Sequence, residues 1–431
     1  MKLNYTFLFI IPLALIFLLD NMFMELLAPE SAHGGTLISS MAKLIAGIAI
    51  GYSALFFQRM SIPMKWAFFL TSLYLFGLSM ESAYKYGTFF VYPHVFLKVM
   101  IFFYSIFIYT YYKGNNYLKM SHLVFFILAG FWLNVLVVNP GALSISSFTQ
   151  HERGVHSTSV YMLVIPFLYF LTQYFFKAKW YSLPMAFFVL LTIFFFQHRT
   201  VWVCTVIVLA VYYLLFRFKT DTPIGIGKIL PIIGIIVAGG LASSAFLFSM
   251  HPEIITKILE NFSDIENFDK QGTGSWRYNQ WLSYLPFIKE NLVMGMRFEG
   301  FELPIQFYRD DIDKPVFEDG YGHFFHSFYV DVLFYAGLIG LSLFLWQAFY
   351  AIWKALRVKR LNENQIIMIA FIISGFVFGI SYILPAYYYG ILGLTIVLLE
   401  EDEPDRTSYL REFATRRKRQ LIALRERLIP S

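Results

Sequence analysis

The chain has 431 residues, of which 58% are hydrophobic, 20% aromatic and 14% charged, and its formal net charge is +6. So little polar side chain excludes a soluble globule, and continuous apolar runs exclude a transmembrane barrel, whose strands alternate apolar and polar residues. The positive balance reads as anchoring at the inner membrane face, not as nucleic-acid binding.

A helix crosses a hydrocarbon layer ~30 Å thick with roughly 20 apolar residues. Nine such runs fill residues 1–249, near 4–19, 37–57, 64–82, 88–112, 120–138, 158–176, 180–196, 200–216 and 228–249. Asp20 and Asn21 follow the first run with no small-residue cleavage site, so it reads as a retained signal anchor. Cys204, the sole cysteine, lies within an apolar run and offers neither a disulfide nor a thiolate metal site. Lys43, His94 and Lys98 lie inside spans, where charge is costly and often functional. His94 and Lys98, four apart, share a helix face and line a polar groove or pair with carboxylates such as Asp20 or Glu81.

The only long polar segment, residues 250–325, opens after the ninth run and carries Gly272-Thr-Gly-Ser-Trp-Arg-Tyr-Asn-Gln-Trp281. Pro252 to Leu259 and Trp281 to Lys289 have helical patterning, and residues 295–325, rich in Gly, Pro and Asp, read as irregular chain. Asp310, Asp311, Asp313, Glu318 and Asp319 form an acidic run with the composition of a metal site or of a solvated loop face. Three more runs follow, near 326–349, 365–384 and 386–399, the last short enough to tilt or re-enter. Residues 400–431 read as a cytoplasmic basic tail, either an amphipathic helix on the anionic inner leaflet or a solvated stop-transfer segment.

With Lys2 in the cytoplasm, the inner connectors hold thirteen Lys or Arg between Arg59 and Arg360, against Lys85, Arg153 and Arg199 in the short outer ones. That bias places the polar loop outside. The expected fold is an all-α polytopic membrane protein of about twelve transmembrane helices with one large periplasmic loop and both termini cytoplasmic.

Three residues at the outer face suit chemistry. Arg199, in Gln197-His-Arg-Thr-Val-Trp202, stands in a tight turn at the outer boundary, where a guanidinium fork suits phosphate oxygens; simple exposure is the alternative. Arg277 lies between Trp276 and Trp281, just after Gly272 and Gly274, whose backbone amides can approach an anion; paired interfacial tryptophans are the plainer reading. His326 opens a span, with His323 before it and Asp331 after it. Imidazole takes a proton near neutral pH, and two nearby arginines disfavour its charged form. No dinucleotide, phosphate-loop or zinc-protease motif appears.

These residues resemble the O-antigen ligase and polymerase family of bacterial membrane glycosyltransferases. The family's arginine after a span is matched by Gln197-His-Arg199-Thr. Its Gly-Arg-x-x-x-Trp motif and Glu-Asn-Pro-Leu-x-Gly turn are matched by Ser275-Trp-Arg277-Tyr-Asn-Gln-Trp281 and Glu290-Asn-Leu-Val-Met-Gly295. Its His-Asn opening a span that ends in Gly-Leu-Ile-Gly is matched by His326-Ser327 through Gly337-Leu-Ile-Gly340. Ser327 replaces the usual Asn, Leu292 the Pro, and Trp276 a small residue.

The resemblance implies glycan transfer from an undecaprenyl diphosphate donor at the periplasmic face of the inner membrane. Arg199 and Arg277 would hold the diphosphate, and His326 would deprotonate the acceptor hydroxyl, with Trp281 and His323 as support. Inversion at the anomeric carbon is expected, with no cofactor and no metal, because arginines supply the charge stabilisation. The acceptor would be another lipid-linked glycan for a polymerase or lipid A–core for a ligase, and a chain-length regulator is a further expected partner. Arg309 and Gly320 fit the Arg-x10-Gly spacing of polymerases once and Arg153 does not; the reading leans to polymerase because polymerases of O-antigen, capsule and exopolysaccharide outnumber ligases in kind. The rivals are a polyprenyl-monophosphate sugar transferase with Asp20 or Glu25 as base, and a transporter or flippase.

Overall fold

The computed structural model describes residues 5–28, 36–114, 118–144, 154–220, 272–309, 314–315 and 323–401, together with the single residues 147, 234, 259 and 263. The helices before the polar segment are α1 (Ile11–Phe17), α2 (Asn21–Leu27), α3 (Thr36–Leu55), α4 (Ile62–Tyr86), α5 (Pro93–Met100), α6 (Phe103–Tyr112), α7 (Met120–Leu133), α8 (Ser157–Met162), α9 (Val164–Lys177), α10 (Ser182–Phe195) and α11 (Arg199–Lys219). The polar segment holds α12 (Gly272–Glu290) and α13 (Arg297–Glu302), and α14 (Phe328–Arg357), α15 (Glu363–Ser381) and α16 (Ala386–Glu401) follow it. The only strands among the described residues are a two-residue antiparallel pair, Tyr308–Arg309 with Lys314–Pro315.

The protein is a multi-pass, helical membrane protein. Six helical stretches among the described residues are long and apolar enough to cross a membrane, and a seventh appears if a bent pair counts as one span. The twelve expected runs resolve differently for local reasons. Asp20 caps α2, accepting from the Met22 N–H at 3.3 Å, so the helix of the first run ends there and α2 follows it at an angle of 99°. The run at 64–82 is α4, which includes Lys65, Glu81 and Lys85. The runs at 180–196 and 386–399 are helices of only 14 and 16 residues. The expected span at 228–249, the helix at 252–259, Arg153, the acidic run at 310–319 and the tail beyond 401 lie, apart from Gly234, Leu259, Lys314 and Pro315, outside the described residues.

Helix α12 ends at Glu290 as the sequence implies, but starts at Gly272 instead of Trp281 and so incorporates the whole Arg277 motif. The chain after it also contains α13 where irregular structure is expected.

Helix α14 is broken inside by Gly337, whose φ of 61° and ψ of −162° leave the helical region. Backbone groups freed at membrane depth need partners from the protein itself. The connector between α12 and α13 provides them. The carbonyls of Leu292 and Val293 accept from the N–H groups of Leu338 (2.9 Å) and Ile339 (3.1 Å), and the Met296 N–H donates to the Phe334 carbonyl (2.7 Å). Two glycines make this approach possible: a Cβ on Gly337 would collide with the Val293 carbonyl, and one on Gly295 (φ 70°) would lie 2.5 Å from the Ala336 nitrogen.

Helices α11 and α15 run antiparallel, with the Leu361 N–H on the Lys219 carbonyl (2.9 Å) and the Cys204 thiol on that of Ser374 (3.7 Å). Small residues let helix backbones approach closely, as where Gly375 admits the Tyr388 ring and Gly393 meets the Ser105 backbone. At the end of the bundle away from His326, the Glu400 carboxylate accepts from Tyr109 (2.7 Å), Tyr350 (2.7 Å), Ser61 (2.8 Å) and Lys113 (2.6 Å).

Candidate functional site

Helix α12 turns one face to the start of α14. Positions 276, 277, 280, 281 and 284 recur at spacings of three and four, so they lie on one side of a helix. Tyr284 anchors that face. Its hydroxyl accepts from the Gln306 N–H (3.1 Å) and meets Nδ1 of His323 at 2.9 Å. Nε2 of His323 lies 2.7 Å from the Leu303 carbonyl. A carbonyl can only accept, so Nε2 carries the proton and Nδ1 accepts from Tyr284. The Tyr335 hydroxyl accepts from the His323 N–H (2.7 Å) and donates to the His323 carbonyl (3.1 Å). His323, buried and with both ring nitrogens engaged, pins the strand of chain that leads into His326.

His326 lies two residues before α14, and Ser327 caps that helix by accepting from the Val330 N–H (3.5 Å). The Ser327 hydroxyl also donates to the Gly379 carbonyl (3.3 Å), and the Phe328 N–H donates to the Tyr382 carbonyl (3.2 Å). These bonds hold the end of α15 against His326. Around it three side chains converge. The Trp276 and His326 rings meet edge to face at 5.1 Å. The Arg277 guanidinium lies 4.9 Å from the Tyr382 ring centroid and 5.5 Å from that of Trp276. Tyr382 and His326 are 6.5 Å apart, ring to ring. The structure thus joins Arg277 to His326 through two aromatic rings. Tyr382 escaped the sequence reading, since nothing local separates it from the other 28 of the chain's 29 tyrosines.

Arg199 is the first residue of α11 and is half-buried. The turn before it is held by Gln197, at φ 51°, and by His198, whose Nε2 donates to the Val155 carbonyl at 2.8 Å. Because α11 and α15 are antiparallel and Lys219 meets Leu361 at the far end, Arg199 reaches the end of the bundle where α15 gives way to Tyr382. Trp281, one turn beyond Arg277, is half-buried.

A second charged group lies beneath. Lys98 on α5 pairs with Asp331 on α14 through both carboxylate oxygens, at 2.7 and 2.8 Å. Of the two alternatives, a polar groove or pairing with a carboxylate, Lys98 takes the second, but its carboxylate is Asp331 and not Asp20 or Glu81. The Lys98 ammonium also lies 5.2 Å from the Phe324 ring and 5.4 Å from that of Tyr335, and His94 packs against the same two rings at 4.5 and 5.1 Å. Asp20 instead accepts from Ser159 at 2.5 Å, and Glu81 pairs with Arg297 at 2.8 Å. The pairing Lys98 needs is supplied by the element that carries His326.

Among the described residues no three His, Cys, Asp or Glu side chains converge as a metal ion would require. What the site does assemble is a guanidinium on an aromatic platform, an imidazole beside it, and a second arginine at the same end of the bundle. Such groups can hold a polyanion and move a proton.

Residues 184–345 match the model of the O-antigen ligase family. Arg199, Arg277 and His326 all fall within the matched stretch, and the match supports the O-antigen ligase/polymerase family. No curated protein matches the chain.

Proposed function

We propose, with the O-antigen ligase/polymerase family match over residues 184–345 as the premise, that this protein transfers a glycan from a polyprenyl diphosphate to an acceptor sugar hydroxyl. Members of that family are membrane glycosyltransferase-like enzymes working with a lipid-linked donor and an acceptor. The observation that carries the proposal is the convergence of Arg277, Trp276, Tyr382 and His326.

In this reading His326 takes the proton of the acceptor hydroxyl. The freed oxygen forms its bond to the anomeric carbon while the bond from that carbon to the phosphate oxygen breaks. The diphosphate leaves with the bonding pair, opposite the attacking oxygen, so configuration inverts. Arg277 and Arg199 stabilise the growing negative charge, the task a divalent ion performs elsewhere. Tyr382 and Trp276 keep the Arg277 fork flat and oriented, and His323 holds the segment that presents His326. The apolar helices accept the polyprenyl chain. The site would face the periplasm of a bacterial inner membrane, with about twelve spans and the basic tail cytoplasmic, as the Lys and Arg distribution favours.

Polymerisation of lipid-linked repeat units is preferred over ligation to lipid A–core. Protein reconstituted with a lipid-linked donor and either acceptor separates the two. His326→Ala should lower transfer about 10²–10⁴-fold, the usual contribution of a general base, while the donor still binds. Full activity in that variant would remove His326 from the mechanism.

A further inference from the structure

Three polar atoms on the site-facing side of α12 are buried and meet no hydrogen-bond partner among the described residues: Nε of Arg277, Oε1 of Gln280 and Nε1 of Trp281. Residues 277, 280 and 281 are three and four apart, so these atoms share one stripe. Gln280 is 3% exposed, and its Nε2 donates to the Phe324 carbonyl at 3.2 Å. That bond fixes the amide, with Oε1 left as the acceptor. Burying a polar group without a partner costs about 1–3 kcal/mol, and three on one helical turn imply an occupant.

The chemistry of the occupant follows from the inventory. Arg277 Nε and Trp281 Nε1 only donate, and Gln280 Oε1 only accepts. Something that accepts at two points and donates at one would satisfy them. A phosphate accepts but does not donate when ionised, so it answers Arg277 and leaves Gln280 unmet. A ring substituent such as a hydroxyl or an acetamido group both donates and accepts. One turn of helix, about 5.4 Å, separates Arg277 from Gln280 and Trp281, which matches the step from a phosphate to the sugar attached to it.

We propose that Gln280 and Trp281 form the subsite for the pyranose bonded to the diphosphate, the first accepting from and the second donating to one substituent beside the anomeric carbon. This rests on the reading of Arg277 as the diphosphate ligand. It makes Gln280 and Trp281 specificity residues: a donor sugar lacking that substituent leaves both atoms buried and unpaired.

The test uses full-length protein in proteoliposomes and polyprenyl diphosphate sugars bearing hydroxyl, acetamido or hydrogen beside the anomeric carbon. The wild type should prefer one substituted sugar over the deoxy sugar by about tenfold or more in kcat/KM, the value of one or two such bonds. Trp281→Phe, which keeps the ring, and Gln280→Leu should each bring the preference within about threefold. Gln280→Glu keeps an oxygen acceptor but loses the tether to Phe324; it should slow turnover and retain the preference. Whichever of hydroxyl and acetamido is favoured identifies the substituent. Wild-type preference persisting in both Trp281→Phe and Gln280→Leu, or lost in Gln280→Glu, overturns the subsite. Failure of the wild type to use any of the donors would instead overturn the reading of Arg277 itself.

Discussion

The Arg277 guanidinium lies over the ring of Tyr382, 4.9 Å from its centroid, although Arg277 sits on α12 and Tyr382 caps the end of α15, in a distant part of the chain. An arginine held in this way keeps its fork free to meet an anion while the ring bears on its face, a contact worth about 0.5–2 kcal/mol. Tyr382→Leu should therefore weaken binding of a polyprenyl diphosphate several-fold, while Tyr382→Phe, which keeps the ring, should come close to wild type. Titration calorimetry on detergent-purified protein measures both. Equal weakening in the two variants would assign the effect to the hydroxyl instead.

The break in α14 depends on Gly337 and Gly295 approaching each other's segments. A methyl group at either position needs the connector to withdraw from Leu338 and Ile339, leaving backbone groups unpaired in an apolar region. Gly337→Ala and Gly295→Ala should each destabilise the protein by at least about 1–3 kcal/mol, read as a fall in melting temperature. A wild-type melting curve for Gly337→Ala would show the break to be incidental.

Lys98 and Asp331 are almost fully enclosed, with side chains 11% and 2% exposed. Removing one partner strands the other charge, at a cost of about 3–5 kcal/mol, whereas replacing both with apolar groups is often near neutral. Lys98→Met and Asp331→Leu should each lower stability strongly, and the double substitution Lys98→Met/Asp331→Leu should recover most of it. Additive losses in thermal unfolding would contradict the pairing.

His156 lies just before α8 with Nε2 3.4 Å from the Glu25 carboxylate, in a group completed by Asp20, Asn134 and Asn139. The hydrogen bond to Glu25 outweighs the loss of solvation and raises its pKa above the ordinary 6.5. A raised folded-state value means that the stabilisation is fully present below about pH 6.5 and fades as pH climbs through the higher folded value. The melting temperature should thus fall between pH 6 and pH 8, and by less in His156→Gln. An unchanged slope in that variant would place the dependence on another group.

The candidate residues were legible to different degrees. Arg199, Arg277 and His326 stood out because a charged or titratable side chain beside an apolar run is expensive and therefore noticeable. Gln280 and Tyr382 did not, since an uncharged polar residue on a loop helix and one tyrosine among many carry no local signal. Lys98 stands out in the same way, but its partner lies 233 residues away, and no local pattern points across that distance.

By itself the sequence determined the helical, membrane-spanning class, the position of α12 after the long apolar half, and the order of the motifs, because hydropathy and short-range spacing are local properties. Tertiary structure alone decided which of these meet. The Glu290–Gly295 turn and the Gly337–Gly340 end, two separate patterns along the chain, became a single interlock because a broken helix in lipid must find its hydrogen bonds in a neighbouring segment. Likewise Tyr382 came to stand over Arg277 because bonds from Ser327 and Phe328 draw the end of α15 against the start of α14. Such contacts depend on helix packing between distant segments, which local spacing does not encode.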